Sequence, residues 1–355
     1  MNRFTSILAA FLVVGTYPSF ADDKSLEDEL ALMLAESQRG VNPIKQSLFN
    51  FFNPYTEQLT PEDQARLSQH WGRGKEEAFK PRWDMHAQTQ GAGTPNAIGA
   101  GAFIPLNITS NAVTYIDVEV KANLDDRSGD SSIINTDVAG TTLSTSTRLG
   151  YRWLNEVGDG MYGVYAGYDT RELKAGPVDT TVTVTDPRTV HFQQVAVGAE
   201  AVSNQWSVHA YALMPTGTTE KQLNSHYEGG ALDTVGVDAG YQINDKTKAT
   251  VGYYHQTGDV GEVSGSGVTT GLSYDITQNL TAGVKVSYDD AFETRVMATI
   301  NWSFANLIKG DEESKEATTA TVTDALSASP EQREVRVHDC RIWLDRYGRW
   351  GTDCW

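Results

Sequence analysis

One strand-like segment close to the end of the chain most constrains what this sequence can fold into. In residues 294–304, TRVMATINWSF, apolar and polar side chains alternate, and the apolar series ends in the aromatic residues Trp302 and Phe304. Alternation with a period of two is typical of a β-strand with one apolar and one polar face. Its length of about eleven residues is what a tilted strand needs to cross a bilayer. A soluble edge strand can carry the same pattern, so the interpretation depends on what precedes it.

Further segments with the same period precede it. In residues 148–153, for example, Leu, Tyr and Trp alternate with Arg, Gly and Arg, and in most segments the polar face is rich in glycine and charge. Such a face makes a poor core for a soluble sandwich and suits the wet interior of a barrel. The predicted strands are 82–90, 97–106, 113–124, 142–154, 160–172, 190–202, 205–215, 231–243, 248–256, 265–275, 279–289 and 294–304.

The connections between these segments alternate in length. The tight ones are 155–159, 203–204, 244–247 and 277–278, and the long polar ones are 125–141, 173–189 and 216–230. Outer-membrane barrels have short periplasmic turns, longer outer loops and usually an even number of strands. The sequence therefore predicts an all-β transmembrane fold, an antiparallel up-and-down outer-membrane β-barrel of about twelve strands. Because the first two segments have the weakest pattern, a ten-stranded barrel stays open as an alternative.

The region before the barrel has a different pattern. Arg3, a short apolar run at 6–14 and the small residues Ser19 and Ala21 predict a secretory signal peptide over 1–21, with a short buried helix as the alternative. Capping and amphipathic patterns predict a short helical periplasmic segment over 22–81, whose apolar stripes favour helix packing over membrane binding. No apolar run reaches the roughly 18 residues of a transmembrane helix.

The polar strand faces carry most of the charge that we expect inside the barrel. Residues 82–304 hold 25 acidic and 13 basic residues, a net charge of −12. An open lumen of this composition would favour cations, and the total charge of −18 argues against nucleic acid as a partner. The predicted pore-lining residues are Asp117, Glu119, Arg148, Arg152, Glu200, Asp238, Asp275, Lys285 and Arg295. The terminal-strand aromatics Trp302 and Phe304 fit an interfacial girdle, although ordinary β-propensity also explains them.

The chain continues beyond the last predicted strand. Residues 305–334 have the Glu-, Ala-, Thr- and Ser-rich composition of a linker. Residues 335–355 contain both cysteines, Cys340 and Cys354, which a secreted protein is expected to join in a disulfide. At about 3.3 Å per residue, 305–318 is long enough to return through the barrel. That route predicts an exposed stalk at 319–334 and a small disulfide-tied tip.

The sequence gives little support to catalytic, cofactor or metal chemistry. The acidic residues Asp125, Asp126 and Asp130 could hold calcium, but an acidic solvated loop explains them as well. His338 stands beside the cysteines without an evident fourth zinc ligand, and no Ser–His–Asp set can be placed from spacing. We therefore predict no enzyme, no cofactor and no metal site, and leave an outer-membrane hydrolase as an unsupported alternative.

Several short motifs in the barrel region and just before it, in a characteristic order, resemble a known family. They are LSQHWG at 67–72, AFIPL at 102–106, DDR at 125–127, LGYR at 149–152, GVYAGYD at 163–169 and VGAE at 197–200. The stretch 65–304 resembles the β-domain of inverse autotransporters of the intimin and invasin type. The resemblance implies a twelve-stranded barrel whose C-terminal continuation passes through the pore and is displayed outside. It also implies periplasmic chaperones and the barrel-assembly machinery as folding partners.

The sequence departs from this family at both ends. The peptidoglycan-binding module and the immunoglobulin-like passenger domains that its members often carry have no counterpart here, and only 51 residues follow Phe304. We expect an outer-membrane barrel, in contact with lipid, that anchors and displays its own short tail, whose surface partner is unknown. The alternative is a porin-like, cation-preferring channel with the tail as a plug or periplasmic extension. A soluble secreted β protein is disfavoured by the alternation of loop lengths.

Overall fold

The computed structural model describes residues 81–109, 111–155, 159–178, 182–304, 320–344 and 350–354. The predicted signal peptide, N-terminal helices and crossing segment 305–318 lie outside these ranges. The strands are β1 (Arg82–Gln88), β2 (Ala97–Ile108), β3 (Ala112–Asn123), β4 (Thr136–Val138), β5 (Thr142–Leu154), β6 (Gly160–Val178), β7 (Thr189–Ser203), β8 (Trp206–Pro215), β9 (Glu220–Gln222), β10 (Tyr227–Asn244), β11 (Thr247–Gly258), β12 (Ser264–Asp275), β13 (Leu280–Asp289), β14 (Glu293–Ser303), β15 (Val337–Leu344) and β16 (Trp350–Asp353). A helix, α1 (Ala320–Ser327), and a 3-10 turn (Val260–Glu262) complete the described structure.

Twelve of these strands form a closed antiparallel ring. Each pairs with the next long strand along the chain, and β14 pairs with β1 to close the barrel, for example at Met85 opposite Trp302. The short strands β4 and β9 lie in the long loops and pair with β6 and β10 outside the ring. The prediction of a twelve-stranded up-and-down barrel is therefore confirmed, and the ten-stranded alternative is wrong because β1 and β2 are both paired on two sides.

Burial along the strands is inverted relative to a soluble protein. In β5 the exposed and buried positions alternate, with Leu149 exposed and Arg148 fully buried. Aliphatic side chains are the most exposed apolar groups on the barrel, as at Val251 (61%) and Val296 (60%). Large apolar residues face outward and charged residues face inward only where the surrounding solvent is lipid. Among the described residues, no helix is long and apolar enough to cross a membrane.

The observed strands differ from the predicted ones mainly at the long-loop end. The predicted strand 142–154 agrees with β5 at both ends, whereas β6 and β10 extend several residues beyond their predicted limits of 172 and 231. The extensions exist because other segments pair with them there: β4 pairs with β6, and β9 and β15 pair with β10. Long-range pairing of this kind leaves no periodic signal in the strand itself.

The C-terminal tail, residues 320–344 and 350–354, lies inside the barrel and at its mouth. Leu326 in α1 packs beside Val113 and Leu154, which flank the short turns, and the contacts then move toward the long loops until β15 pairs with β10 through Tyr227–Arg341. The expected exposed stalk at 319–334 is not observed from residue 320 onward, since these residues contact the lumen wall. Their linker-like composition gave no sign of this order, because the wall supplies it.

Candidate functional site

Buried arginines dominate one side of the lumen. Arg148 and Arg152 project from β5 and are among the largest fully buried side chains of the described structure. Arg148 forms a bidentate pair with Asp169, with Nη1–Oδ1 and Nη2–Oδ2 distances of 2.5 and 2.9 Å. Arg152 pairs with Glu200 through Nε and Nη2 at 2.8 and 3.1 Å. Bidentate pairing fixes the guanidinium planes, so that their remaining N–H groups have defined directions.

These remaining N–H groups bind the main chain of the tail. Arg152 Nη1 donates to the carbonyl oxygens of Leu326 and Ala328 at 3.1 and 2.6 Å. Arg148 Nη2 donates to the carbonyl oxygen of Gln332 at 3.2 Å. Both contacts place a fixed cationic donor against a backbone acceptor, a stronger arrangement than a hydrogen bond between neutral groups.

The same mode of binding continues toward the long-loop end. Arg171 in β6 donates through Nη1 to the carbonyl oxygen of Val335 at 2.8 Å and to that of Gly93 at 2.5 Å. Gln194 in β7 donates to the carbonyl oxygen of Glu334 at 3.3 Å. We call the interior faces of β3, β5, β6 and β7 the arginine wall. Because it binds carbonyl oxygens, which every residue carries, it can hold an extended chain with little dependence on side-chain sequence.

Side chains of the tail add charge pairs at two levels. Arg333 bonds to Asp117 of β3, which also accepts a hydrogen bond from Ser329 Oγ at 2.8 Å. Four residues further along β3, Lys121 bonds to Glu334 of the tail. Since Asp117, Lys121 and Arg333 are buried, removing the partner of any of them would leave a buried charge. They fix the register of the tail along β3.

At the short-turn end the tail is held by apolar packing. Val322 and Leu326 of α1 are buried in a cluster with Phe103, Tyr115 and Met161 of the barrel interior. Within this cluster the rings of Phe103 and Tyr115 are stacked, with their centroids 4.8 Å apart. The helix therefore buries one face against the barrel, while the residues after it are extended along the arginine wall.

The opposite side of the lumen is lined by small residues. We call the interior faces of β11, β12, β13 and β14, where hydroxyl-bearing residues and glycines predominate, the small-residue wall. Between this wall and the tail lies a cavity of about 600 Å³. Its hydroxyl, amide and glycine lining includes Thr250, Thr269, Gly271, Ser273, Thr281, Gly283, Ser287, Thr299, Asn301 and Ser303. Lys248 and Lys285 also line it and attract Glu331 of the tail electrostatically.

One arginine of the tail, Arg336, lines this cavity and contacts the barrel at the long-loop end. Arg336 Nε donates to the carbonyl oxygen of Ala92 at 3.1 Å, and its guanidinium carbon lies 4.5 Å from the ring centroid of Tyr254. The same group lies 5.7 Å from the ring centroid of Phe292 and 3.7 Å from Asp289 Oδ2. Cation–π and ionic contacts thus tie the tail to the small-residue wall at this level.

The hairpin β15–β16, which we call the tip, is docked on the barrel mouth. The disulfide between Cys340 and Cys354 is present, as predicted. Both cysteines are buried in an apolar cluster with barrel residues such as Leu232, Val260 and Phe292. The tip, which is too small for a core of its own, therefore completes its core with residues of the barrel loops.

Two adjacent residues of β15 face different parts of the mouth, outside the barrel ring. The Asp339 carboxylate accepts a hydrogen bond from the backbone N–H of Asn135 at 2.8 Å, and burial raises its pKa to about 7. The His338 ring lies over Gly230 and Gly258, where a Cβ would come within 3 Å of Nε2. Burial lowers the pKa of His338 to about 4. The tip thus contacts both the β3–β5 loop and the β10–β11 side of the mouth.

The predicted pore-lining residues lie in the interior, but the structure distributes them unevenly. Asp117, Glu119, Arg148, Arg152 and Glu200 belong to the arginine wall and its tail contacts. Lys285 lines the cavity, Asp238 accepts from Gln332 at 2.7 Å, Asp275 accepts from Thr281 at 2.6 Å, and Arg295 pairs with Asp130 at 2.9 Å. The basis of the expected cation preference weakens, because Arg333 and Arg336 of the tail, which the charge count for 82–304 leaves out, pair with Asp117 and Asp289.

The sequence analysis did not identify all of the residues that hold the tail. Arg171 and Asp169 were not singled out, although both are fully buried on interior-facing positions of β6. The sequence signal that could have identified them as interior residues is their alternation with Tyr168 and Thr170, whose side chains face outward. The terminal-strand aromatics lie on the outer side, where Trp302 is half exposed and its ring centroid is 4.6 Å from that of Phe304.

A closed antiparallel barrel with an apolar exterior and a charged interior defines an outer-membrane β-barrel. No family model and no curated protein matches the sequence. A membrane-protein structure from a study of in-meso crystallisation is similar in fold, with 9% identity and a TM-score of 0.53, covering 73% of this chain and 99% of that one. The KdgM porin matches with 13% identity and a TM-score of 0.33 over 63% of this chain and 99% of that one. The translocator domain of the autotransporter NalP from Neisseria meningitidis matches with 12% identity and a TM-score of 0.35 over 70% of this chain and 99% of that one.

Proposed function

We propose that this outer-membrane barrel anchors its own C-terminal tail in the lumen and displays the tip outside the cell. The observation that carries the proposal is the row of arginine contacts to main-chain carbonyl oxygens, from Leu326 to Val335. A wall whose arginines bind main-chain carbonyl oxygens suits a chain that had to pass along it, and the side-chain pairs of Arg333 and Glu334 then fix its final register. The resemblance to inverse autotransporters suggests the same direction of passage.

The position of the tip supports display over a purely periplasmic tail. β15 pairs with β10 at Tyr227–Ala231, beyond the barrel ring and beside the long loops. Long loops face the cell exterior in outer-membrane barrels, whereas short turns face the periplasm. A porin-like role is less favoured, because residues 326–336 occupy one side of the lumen and Arg336 reaches across to contact Ala92 and Tyr254 on the other.

Different surfaces of the protein contact different partners. The apolar exterior contacts outer-membrane lipid, and the barrel-assembly machinery and periplasmic chaperones are the folding partners that the family resemblance implies. A surface partner of the tip is expected but not identified. We propose an anchoring and display role, with no reaction assigned to the interior.

An epitope tag after Trp355 tests the direction of the tail. On intact cells we expect antibody or protease to reach it as readily as a tag placed in the long β8–β10 loop at 217–218. A third tag in the short β7–β8 turn at 204–205 should react only after the outer membrane is permeabilised. A C-terminal tag that behaves like the one at 204–205 would reject display and leave a porin-like barrel with a periplasmic extension.

A further inference from the structure

The cavity beside the tail runs most of the length of the barrel. At the short-turn end its lining includes Gln278 and Asn279, which are exposed in the turn between β12 and β13. At the long-loop end it reaches Ala92 and Thr94 in the loop between β1 and β2. Its polar lining suits water and small hydrated ions, and its volume of about 600 Å³ would hold many of them.

Two layers, both formed with the tail, lie at the long-loop end of this cavity. The first is Arg336, held between Ala92, Tyr254 and Asp289. The second is the apolar cluster around the disulfide between Cys340 and Cys354, which packs against barrel loops. The barrel ring itself contributes only parts of each layer, so both layers depend on the docked tip.

We propose that this cavity is an ion-conducting path through the barrel, separate from the side of the lumen that holds the tail, and that docking of the tip gates it. With the tip docked, ions enter from the short-turn end and stop below Arg336. When the tip undocks, it draws Arg336, the residue before β15, away from Tyr254 while the tail up to Val335 stays bound to the arginine wall, and the path along the small-residue wall becomes continuous. The proposal depends on the lumenal position of the tail and not on which side of the membrane the tip faces.

The charges along the path predict weak selectivity. The lining carries six basic residues, Arg82, Lys121, Lys248, Lys285, Arg333 and Arg336, and four acidic ones, Asp84, Glu119, Glu331 and Glu334. Hydroxyl and amide groups make up most of the remaining lining. Since neither sign of charge dominates, potassium and chloride should pass at similar rates. This differs from the cation preference that a count of all barrel charges predicts.

A glycine under the disulfide offers a way to undock the tip without changing the tail or the lumen. Gly261 has a φ of 67°, and a Cβ there would lie 1.9 Å from Cys354 Sγ. Gly129 has a similar φ of 78° with no atom within 4 Å of the added Cβ. Leucine at either position imposes the same backbone strain. Only Gly261→Leu pushes on the tip, so Gly129→Leu is its matched control.

Planar-bilayer recordings of the purified full-length protein in potassium chloride test the gate. We expect wild type and Gly129→Leu to be mostly closed, and Gly261→Leu to conduct several-fold more current. Thiol labelling after mild reductant measures undocking separately, because an undocked disulfide is reduced faster. Heat-modifiable mobility on gels should show an intact barrel in all three proteins.

The route of the ions is tested on a single strand. In the Gly261→Leu background, Thr299→Trp places a large ring in the cavity and should return the current to the wild-type level. Its neighbour Ala298 is exposed on the lipid side, so Ala298→Trp should leave the current unchanged. Equal effects of the two tryptophans would contradict a path along this wall.

A triple variant keeps the gate falsifiable if Gly261→Leu leaves the tip docked. Arg336→Gly combined with Cys340→Ser and Cys354→Ser removes the guanidinium and the disulfide from both layers, and we expect it to conduct. The proposal is overturned if the disulfide of Gly261→Leu becomes reactive while its current stays at the wild-type level. It is equally overturned if the triple variant, with an intact barrel, remains closed.

Discussion

The two sides of the lumen share the same strand geometry, but one side binds the tail and the other borders a cavity. The arginine wall carries long charged side chains that are fully buried, paired and bonded to the tail, as at Arg148. The small-residue wall carries hydroxyls and glycines, as at Thr299 and Gly283, and leaves a cavity. Both walls alternate with a period of two and both are apolar outside. The comparison teaches that side-chain size on the inner face decides where a barrel binds a chain and where it leaves room.

The largest expected difference between the walls follows removal of a charge. Arg148→Ala leaves Asp169 buried without its bidentate partner and should destabilise the barrel by about 3–5 kcal/mol. Lys285→Ala on the small-residue wall should cost below about 1 kcal/mol, because that side chain borders a wet cavity. Unfolding titrations of the refolded proteins measure both. Similar costs would mean that the two walls are equally packed.

The outer surfaces of the two walls should behave alike. Leu149→Arg behind the arginine wall and Val284→Arg behind the small-residue wall each place a charge among lipid tails and should cost about 2–4 kcal/mol. The same titrations apply, with Thr281→Arg inside the cavity as the mild control. If Thr281→Arg is as damaging as Val284→Arg, the assignment of lipid-facing and lumenal faces is wrong.

Enlarging an inward-facing side chain should produce a smaller difference in stability between the two walls. Ser146 is buried and lies 3.3 Å from Arg333 Nη1, so Ser146→Leu should overpack the tail interface and cost about 1–3 kcal/mol. Thr299→Leu projects into the cavity and should be close to neutral. Thermal unfolding followed by gel mobility ranks the pair. A neutral Ser146→Leu would show that the tail is only loosely held at this level.

The smallest effect is a pH dependence of tip docking, in which the two sides of the mouth act in opposite directions. The pKa of Asp339 is raised from 3.8 to about 7, so the docked state holds a proton that the undocked state releases, and docking weakens as pH rises between these values. The pKa of His338 is lowered from 6.5 to about 4, so docking weakens as pH falls between those values.

The two terms nearly cancel in the wild type, and single variants separate them. Asp339→Asn should leave docking that weakens with acid, and His338→Gln should leave docking that weakens with base. The rate of disulfide reduction from pH 4 to 7 reports docking in each protein. Two variants with the same pH slope would show that these groups do not control the tip.

The sequence by itself determined the barrel and most of its strand limits, whereas the choice between ten and twelve strands was decided by the pairing of β1 and β2. The period-two pattern of segments such as 142–154 is local, because each strand must place alternate residues in lipid and in water wherever its neighbours lie. Turn lengths likewise follow from local residue choice. The presence of a disulfide between Cys340 and Cys354 followed from their being the two cysteines of a chain expected to be secreted.

Only the tertiary structure decided where the tail lies and what holds it. The composition of 320–334 is that of a linker, and the order of 320–335 comes from guanidinium groups on β5 and β6 that bind carbonyl oxygens. Main-chain acceptors are the same at every residue, so this recognition leaves no trace in the sequence of the tail. The extensions of β6 and β10, the docked tip and the unequal walls depend in the same way on contacts between residues far apart in the chain, which no local pattern encodes.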